Sequence, residues 1–282
     1  MQLDLVDVFA GNGSLTGNPL AVVRGADGLG PAAMLALTRW LGFSEPAFLL
    51  PPTASGADYR VRIFYPAGEL PFAGHPTLGS GFAWLAAGGG GPWPAKVVQQ
   101  CEAGLIEVRV AEDQLAFRAP ALRRGGPLGE IETAEALRIA GVPAEALIDA
   151  VHADNGPPWR LLRLRSAADV LAARPLARVE GHVDVALIGP HPKHGPADWE
   201  VRAFFTKPGG VLAEDPVTGS LNAAAAQYLF GSGLARDGYR ATQGRMVGAD
   251  GLVEVRHEGG DQVWIGGRVA MVAQGAELVW QP

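Results

Sequence analysis

Two short segments of the sequence carry residue types that could move a proton on a small acid. They are Gly74-His75-Pro76 and Glu214-Asp215-Pro216. Proline costs little at the first position of a helix, because its missing N–H would be unpaired there. The pattern therefore predicts His75 and Asp215 at the N-caps of two helices, whose free N–H groups and aligned dipoles favour a bound anion. Two such helix ends could hold a carboxylate and stabilise the negative charge that develops as a carbon acid loses its proton.

Both N-cap candidates also have a purely structural interpretation. Aspartate is among the best N-cap residues, so Asp215 could do no more than accept a hydrogen bond from an N–H near Thr218. Histidine is a poorer cap by type, and its place at the matching position favours a functional role for His75. From local sequence alone, capping and catalysis stay open for both residues.

Two glutamates stand beside apolar runs and are candidate bases. Glu45 leads into Phe48-Leu49-Leu50, and Glu69 precedes Leu70-Pro71-Phe72. A carboxylate at the mouth of a buried strand is partly desolvated, which makes it a stronger base. The alternative is that each glutamate lies in a turn and faces water.

The two candidate helices belong to an internal repeat, which indicates the elements that must position these residues. A shift of 140 residues without a gap aligns Val61-Arg62 with Val201-Arg202, Phe64 with Phe204, Pro76 with Pro216, and Gly79-Ser80 with Gly219-Ser220. Such a period is too long for a solenoid repeat and fits a duplicated lobe. An active site is then most economically placed between the lobes, where Gly79 and Gly219 would leave room for a ligand.

Alternating apolar residues predict mostly strands around these helices. Strands are expected at residues 3–9, 18–23, 46–50, 59–64, 115–118, 251–256, 262–272 and 276–280, and helices at 31–41, 76–87 and 133–140. A stretch rich in Pro, Gly and Arg at 120–129 marks a boundary. We therefore expect an N-terminal lobe of residues 1–119 plus about 270–282 and a C-terminal lobe of residues 120–269, with the active site in the cleft between them.

Composition and motif spacing exclude several classes of function. Among 282 residues, 23 basic and 29 acidic side chains give a net charge of −6 with no basic block, so nucleic acid is not an expected partner. The sequence contains neither an apolar run long enough for a membrane span nor a signal peptide, and it has a single cysteine, Cys101, so we expect a cytoplasmic protein without disulfides. His191 and His194 lack a third ligand and predict a solvated loop, and the glycine-rich loop at 11–17 has the wrong spacing for a dinucleotide. Neither a metal nor a cofactor is therefore expected.

Four segments of the sequence resemble the PhzF family, named from phenazine biosynthesis, within the diaminopimelate-epimerase fold. They are Val6-Asp7-Val8-Phe9 with Gly17-Asn18-Pro19-Leu20, Phe43-Ser44-Glu45-Pro46, Glu69-Leu70-Pro71-Phe72-Ala73-Gly74-His75-Pro76, and Glu214-Asp215-Pro216-Val217-Thr218-Gly219-Ser220. The resemblance implies an α+β fold of two pseudo-symmetric lobes. Each lobe would be a curved, mostly antiparallel sheet wrapped round a central helix.

The resemblance also implies a cofactor-independent isomerase of a small amino or cyclic acid, acting as a homodimer. Glu45 would move the proton, and His75 and Asp215 would assist it. The residues expected to bind the substrate are Asn18, Gly74, Thr218, Gly219 and Ser220. The phenazine precursor trans-2,3-dihydro-3-hydroxyanthranilate is one candidate substrate.

Some positions depart from the patterns of the family and of its epimerase relatives, and other functions stay open. Epimerase relatives carry a cysteine at the start of each central helix, whereas Gly74-His75 and Glu214-Asp215 stand there, which excludes a two-cysteine racemase. Pro46-Ala47 replaces a pair that commonly carries hydroxyls, and Ala249 stands near a position where the family often has arginine. The alternatives are a non-catalytic protein that binds a small acid, or an epimerase or racemase with other acid and base groups.

Overall fold

The computed structural model describes residues 1–13 and 15–280, which form two compact units. Unit 1 comprises residues 1–118 and the chain from residue 266 onward, and unit 2 comprises residues 119–265. Within the described ranges, no helix is both long enough and apolar enough to cross a membrane.

Most regular structure in the chain is β-strand, as the alternating sequence predicts. The strands are β1 (Gln2–Ala10), β2 (Asn18–Arg24), β3 (Ala47–Leu50), β4 (Tyr59–Tyr65), β5 (Gly68–Leu70), β6 (Lys96–Cys101), β7 (Gly104–Ala111), β8 (Gln114–Arg118), β9 (Leu147–Asp154), β10 (Pro158–Leu164), β11 (Asp184–Pro190), β12 (Trp199–Lys207), β13 (Val211–Glu214), β14 (Gly238–Gln243), β15 (Gly251–His257) and β16 (Val263–Glu277). The helices are α1 (Pro31–Leu41), α2 (Gly74–Ala86), α3 (Glu130–Ala140), α4 (Ala167–Ala172) and α5 (Gly219–Gly231). The strand predicted at 276–280 is wrong, because β16 is one long strand that ends at Glu277.

The sheet of unit 1 closes on itself. Its strand order is β1-β2-β3-β4-β6-β7-β8-β16, and β16 also pairs with β1. The pairs β2–β3 and β4–β6 are parallel, whereas β1–β2, β3–β4, β6–β7, β7–β8 and β1–β16 are antiparallel. Helix α2 contacts β1, β2, β3, β4, β6, β7 and β8, so it forms the centre of this curved sheet.

Small residues allow α2 to lie inside the sheet. Nearly every α2 residue is buried, as expected for a helix that is apolar all round. A Cβ on Gly79 would lie 2.3 Å from Leu20 Cδ2 and 2.9 Å from Val8 Cγ2, so the helix backbone packs directly on β1 and β2. Gly79 therefore serves packing, and the expectation that it clears space for a ligand is wrong.

The strands of unit 2 pair in sequence and accompany a buried helix of their own. The order is β15-β14-β12-β11-β10-β9, and β13 pairs with β12 off this path. Helix α5 contacts β9 and buries a run of small side chains, Ala223, Ala224, Ala225 and Ala226. Helices α3 and α4 contribute Ile139 and Val170 to a separate apolar core with residues of β10, β11 and β12.

The internal repeat is visible in matching ion pairs. Arg62 of β4 donates one hydrogen bond to each carboxylate oxygen of Glu69 (2.7 and 2.5 Å). Arg202 of β12 binds Glu214 in the same bidentate way (3.0 and 2.8 Å). Each arginine also lies over the phenylalanine two positions later, at 5.2 Å in unit 1 and 4.9 Å in unit 2. Both units therefore contain the same strand–hairpin–helix motif.

The hairpin of the second copy is longer, and this shifts the register of the two helices. Arg62 and Glu69 are 7 residues apart, whereas Arg202 and Glu214 are 12 apart. The N-cap of α2 is Ala73 and that of α5 is Thr218. Gly219-Ser220 therefore matches Gly74-His75, and the ungapped pairing of the two helix starts is wrong.

Candidate active site

Glu45 lies in the short connection between α1 and β3. Helix α1 ends where Gly42 takes a left-handed conformation (φ 75°) and donates its N–H to Thr38 O. The carbonyl of Pro46 accepts a hydrogen bond from Phe64 N–H (3.0 Å), which ties the connection to β4. These two anchors hold Glu45 in place while 29% of its side chain stays exposed.

His75 is the second residue of α2 and lies against Glu45. The helix begins after Ala73, whose carbonyl accepts the first helical hydrogen bond from Thr77 N–H (3.2 Å). The side chain of His75 is only 5% exposed, and its Nδ1 lies 3.3 Å from Oε2 of Glu45. His75 is thus inside the first turn, so the prediction that it is the N-cap is wrong by two positions. Proline is tolerated throughout a first turn, and Pro76 therefore does not mark the first helical residue.

The surroundings of His75 determine its protonation state. Burial lowers the pKa of His75 to about 3, so the ring is neutral at neutral pH. The nearby carboxylate favours the remaining ring proton on Nδ1, which leaves the lone pair on Nε2. Nε2 is buried and has no hydrogen-bond partner among the described residues. A buried imidazole nitrogen of this kind is an acceptor available to a ligand N–H or O–H.

Asp215 precedes α5 and does not cap it. The N-cap is Thr218, three residues later, and Pro216 lies outside the helix. The carboxylate of Asp215 accepts a hydrogen bond from the hydroxyl of Thr218 (2.7 Å). The backbone N–H of Asp215 donates to Ala203 O (3.0 Å). The prediction that Asp215 is an N-cap is therefore wrong, because the longer hairpin places the helix start beyond it.

Gly219 and Ser220 open α5, as the second copies of Gly74 and His75. The carbonyl of Ser220 accepts from the Nδ2 of Asn155 (2.8 Å), and its hydroxyl oxygen accepts from Trp159 Nε1 (3.3 Å). An indole N–H only donates, so the hydroxyl hydrogen of Ser220 points away from Trp159 and can donate to another group.

Asn18 is the first residue of β2 and is almost fully buried. The preceding turn is fixed by Asp7 of β1, whose carboxylate accepts from the N–H groups of Thr16 (2.9 Å) and Gly17 (2.8 Å). A Cβ on Gly17 would lie 2.1 Å from Val8 O, so only glycine fits this approach of the chain to β1.

The predicted site residues fall into two groups. Unit 1 holds Glu45 and His75 in contact, together with Gly74 and Asn18. Unit 2 holds Asp215 and Thr218 in contact, together with Gly219 and Ser220 at the start of α5. The sequence-based expectation that one cleft between the units contains both groups stays a prediction.

Gln243, Asn155 and Trp159 hold the start of α5 and were not identified from the sequence. Gln243 bonds residues 215, 218 and 222, and the other two bond Ser220. None belongs to a motif that predicts such a contact. The one available indication was the repeat itself, since Gln99 is a second buried glutamine on the equivalent strand β6.

The candidate base Glu69 and His191, which was predicted in a solvated loop, are both paired in the structure. Glu69 is bound by Arg62, as described above, and is not available as a base. The side chain of His191 is 5% exposed, and its Nε2 lies 3.1 Å from Glu200 Oε2 and 2.9 Å from Thr242 Oγ1. The prediction of a solvated loop at His191 is therefore wrong, because the ring turns inward onto a buried carboxylate. Burial raises the pKa of Glu200 to about 7 and lowers that of His191.

The described residues contain no group of three or more His, Cys, Asp and Glu side chains that could hold a metal ion. The single cysteine, Cys101, lies at the end of β6 and is partly buried, and both helix starts lack a cysteine. The exclusion of a two-cysteine mechanism therefore also applies to the corrected helix starts, Ala73-Gly74 and Thr218-Gly219.

Known proteins resemble this chain over most of its length. Residues 6–275 match the family PhzC-PhzF, described as phenazine biosynthesis-like protein. "Antisense-enhancing sequence 1" from Schizosaccharomyces pombe is 35% identical over 241 residues, which are 80% of this chain and 79% of that protein. The trans-2,3-dihydro-3-hydroxyanthranilate isomerase of Pseudomonas fluorescens is 30% identical over 262 residues, 90% of each chain.

Solved structures show the same fold. A predicted epimerase from Pseudomonas aeruginosa superposes with a TM-score of 0.79 at 28% identity, covering 99% of both chains. A probable proline racemase from Agrobacterium radiobacter superposes with a TM-score of 0.60 at 15% identity, covering 100% of this chain and 93% of the other. The α+β fold implied by the sequence is therefore confirmed. This chain belongs to the PhzC-PhzF family, whose relatives include proteins named as isomerases.

Proposed function

We propose that this chain is an isomerase that uses Glu45 to move a proton between two carbons of a small amino or cyclic acid, without a cofactor. The observation that carries the proposal is the contact between Glu45 and His75. Glu45 is exposed enough to reach a ligand, whereas His75 is buried and holds one side of the carboxylate. In this contact the Glu45 carboxylate has a fixed orientation and is only partly solvated, as a general base requires.

His75 acts in this proposal as a neutral hydrogen-bonding group. Its pKa, lowered to about 3 by burial, excludes an imidazolium that titrates near neutral pH, so His75 is not assigned a proton-transfer step of its own. Its unpartnered Nε2 instead accepts a hydrogen bond from the substrate. The substrate group facing His75 is therefore a donor, such as an ammonium, an amine or a hydroxyl.

The proposed reaction is balanced without any other reactant. The Glu45 carboxylate takes a proton from a carbon next to an activating group, and the electron pair of the C–H bond moves into that group. Glu45 is then a carboxylic acid, and it returns the same proton to a different carbon of the delocalised anion. The carboxylate is regenerated, and the product is an isomer of the substrate.

Residues of unit 2 are proposed to bind the same substrate. The N–H groups at the start of α5 favour an anion such as a carboxylate, and Gly219 and Ser220 are the residues that offer them. Asp215 is proposed to hold a cationic or hydroxyl group of the substrate. In unit 1, Asn18 and Gly74 complete the proposed binding set.

The substrate class follows from the relatives and from this donor and acceptor set. One relative is named as the isomerase of trans-2,3-dihydro-3-hydroxyanthranilate, a cyclic acid that carries amine, hydroxyl and carboxylate groups. We propose this compound as the first candidate. We also propose a homodimer, which sedimentation at micromolar concentration can test against a mass of 29.4 kDa per chain.

Incubation in D2O with a panel of small acids tests the function directly. The panel contains trans-2,3-dihydro-3-hydroxyanthranilate, amino acids and hydroxy acids, and proton NMR follows deuterium uptake into each compound. Catalysed uptake, together with a new isomer, supports the proposal. Thermal stabilisation by a compound that takes up no deuterium would instead support the non-catalytic binder. Uptake with inversion and no new constitutional isomer would support an epimerase.

A further inference from the structure

The side chain of Gln243, the last residue of β14, is fully buried and makes all of its hydrogen bonds to the segment that begins α5. Its Oε1 accepts from Thr218 N–H (3.1 Å) and Asn222 Nδ2 (2.9 Å). Its Nε2 donates to the carbonyl of Asp215 (3.2 Å) and to Thr218 Oγ1 (2.8 Å). One amide therefore spans the turn between Asp215 and the first turn of the helix.

The direction of these hydrogen bonds is fixed by the backbone. The N–H of Thr218 can only donate and the carbonyl of Asp215 can only accept, so the amide of Gln243 cannot be flipped. Its NH₂ group must then donate to Thr218 Oγ1. The single hydrogen of the Thr218 hydroxyl is left to donate to Asp215 Oδ2, at 2.7 Å.

We infer that Gln243 is a positioning residue that orients the Asp215 carboxylate through Thr218. The chain of donors runs from Asn222 to Gln243 to Thr218 and ends on Asp215. Because the last link donates to a carboxylate oxygen, it favours the ionised form of Asp215 and fixes its rotation. The inference rests on the proposed function at one point only, the assignment of Asp215 as a residue that binds the substrate. Gln243 itself need not touch the substrate.

The other buried glutamine of the repeat provides a matched control. Gln99 is also fully buried, and its Nε2 donates to Thr77 Oγ1 (3.0 Å) while its Oε1 accepts from Tyr59 OH (3.3 Å). It therefore contacts the interior of α2, at the fourth helical residue, and not the residues before the helix. A substitution at Gln99 removes similar buried hydrogen bonds without altering any link to Asp215.

Gln243→Glu conserves the shape of the side chain but changes which groups donate and which accept in this series of hydrogen bonds. The new carboxylate can still accept from Thr218 N–H and Asn222, but it has no hydrogen to donate to Thr218 Oγ1 or to the carbonyl of Asp215. The hydroxyl of Thr218 then turns to the new carboxylate and leaves Asp215. We expect the titration of the Asp215 carboxyl carbon, followed by ¹³C NMR, to move to higher pH by about one unit relative to the unaltered protein.

A double-mutant cycle separates this effect from the added charge. In a Thr218→Val background the hydroxyl is absent, so Gln243→Glu should move the Asp215 titration by less than half of the shift seen with Thr218 present. Thr218→Ser keeps the hydroxyl and should restore the full shift. If Gln243→Glu does not fold, Thr218→Val alone should still move the titration of Asp215 upward, because it removes the same last link. An unchanged titration in Gln243→Glu, or in Thr218→Val, would overturn the inference.

Kinetics provide the second readout, with the panel compound that takes up deuterium fastest as probe. Gln243→Glu should raise KM about tenfold and change kcat less than about twofold, because it disturbs binding by Asp215 and not proton transfer. Gln99→Glu should lower thermal stability and leave KM unchanged. If Asp215→Asn raises KM but Gln243→Glu does not, Gln243 is only structural and the inference is wrong. If Asp215→Asn leaves KM unchanged, the proposed role of Asp215 fails, and the NMR cycle still decides whether Gln243 orients it.

Discussion

His75 shows how burial of a single residue sets both its chemistry and its effect on stability. Because burial holds the pKa of the folded state at about 3, His75 stays neutral when the chain is folded and takes up a proton when it unfolds below about pH 6.5. A histidine with a lowered pKa therefore reduces stability as the pH falls from about 6.5 towards 3.

His75→Gln should remove this part of the pH dependence. Below pH 6 the free energy of unfolding of the unaltered protein should fall more steeply than that of the variant, by up to about 1.4 kcal/mol per pH unit. Urea denaturation between pH 7 and pH 5 measures both slopes. Equal slopes would show that folding does not lower the pKa of His75, and they would remove the argument that its neutral Nε2 accepts from the substrate.

Cys101 is expected to be dispensable. Burial raises the pKa of its thiol, so little thiolate is present at neutral pH, and the residue lies at the end of β6 instead of at a helix start. Cys101→Ala should keep deuterium exchange within about twofold of the unaltered rate. Exchange should also survive treatment with iodoacetamide. Loss of exchange in the alanine variant would return a thiol mechanism to consideration.

At the scale of elements, the close packing of α2 on β1 and β2 makes Gly79 intolerant of a side chain. Gly79→Ala improves helix propensity by about 1 kcal/mol but forces both Leu20 and Val8 to move, since the new Cβ would lie 2.3 and 2.9 Å from their side chains. We expect a net loss of about 1–3 kcal/mol in the free energy of unfolding. Gly231→Ala is the control, because its Cβ meets no atom within 4 Å at the end of α5. If Gly79→Ala leaves the free energy of unfolding unchanged, α2 is packed loosely against β1 and β2.

The sequence predicts some elements, misses others such as β6, β7, β9, β10, β11 and β14, and misplaces the starts of the central helices. Alternation locates β1 and β4, and the helix predicted at 31–41 is α1. Proline fails as a marker at the two central helices, because any of the first residues of a helix can lack an N–H. Pro76 is the third residue of α2, whereas Pro216 lies before α5.

The contacts of the candidate site could be predicted only in part. The family resemblance implies Glu45, His75 and Asp215 as catalytic residues, and in the structure Nδ1 of His75 lies 3.3 Å from Oε2 of Glu45. The hydrogen bonds of Gln243 could not be foreseen, because a strand residue reaches partners 25 and 28 positions away along the chain. The pairing of such a side chain depends on the strand order, which local sequence does not determine.

At the scale of the whole molecule, the two units repeat one ion pair in different surroundings. The side chains of Arg202 and Glu214 are 3% and 8% exposed, whereas those of Arg62 and Glu69 are 23% and 26% exposed. Removing one partner from a buried pair leaves an uncompensated charge, which costs about 3–5 kcal/mol, whereas a fully exposed pair contributes about 0–1 kcal/mol, and the partly buried Arg62–Glu69 pair lies between these limits.

Arg202→Met should therefore destabilise the protein more than Arg62→Met, by about 1–2 kcal/mol. Urea denaturation of the two variants at pH 7 provides the comparison. Equal losses would show that the matching pairs contribute equally in spite of their different burial.

The most direct test of the account is deuterium exchange by Glu45→Gln. This substitution keeps the shape of the side chain and its place beside His75 but removes the base. With the panel compound that the unaltered protein exchanges fastest, exchange should fall by at least about 10²-fold while the affinity for that compound changes little. Glu107→Gln, an exposed glutamate of β7 paired with Lys96, is the control and should exchange at the unaltered rate. Near-normal exchange in Glu45→Gln would contradict the assignment of Glu45 as the proton-transfer residue.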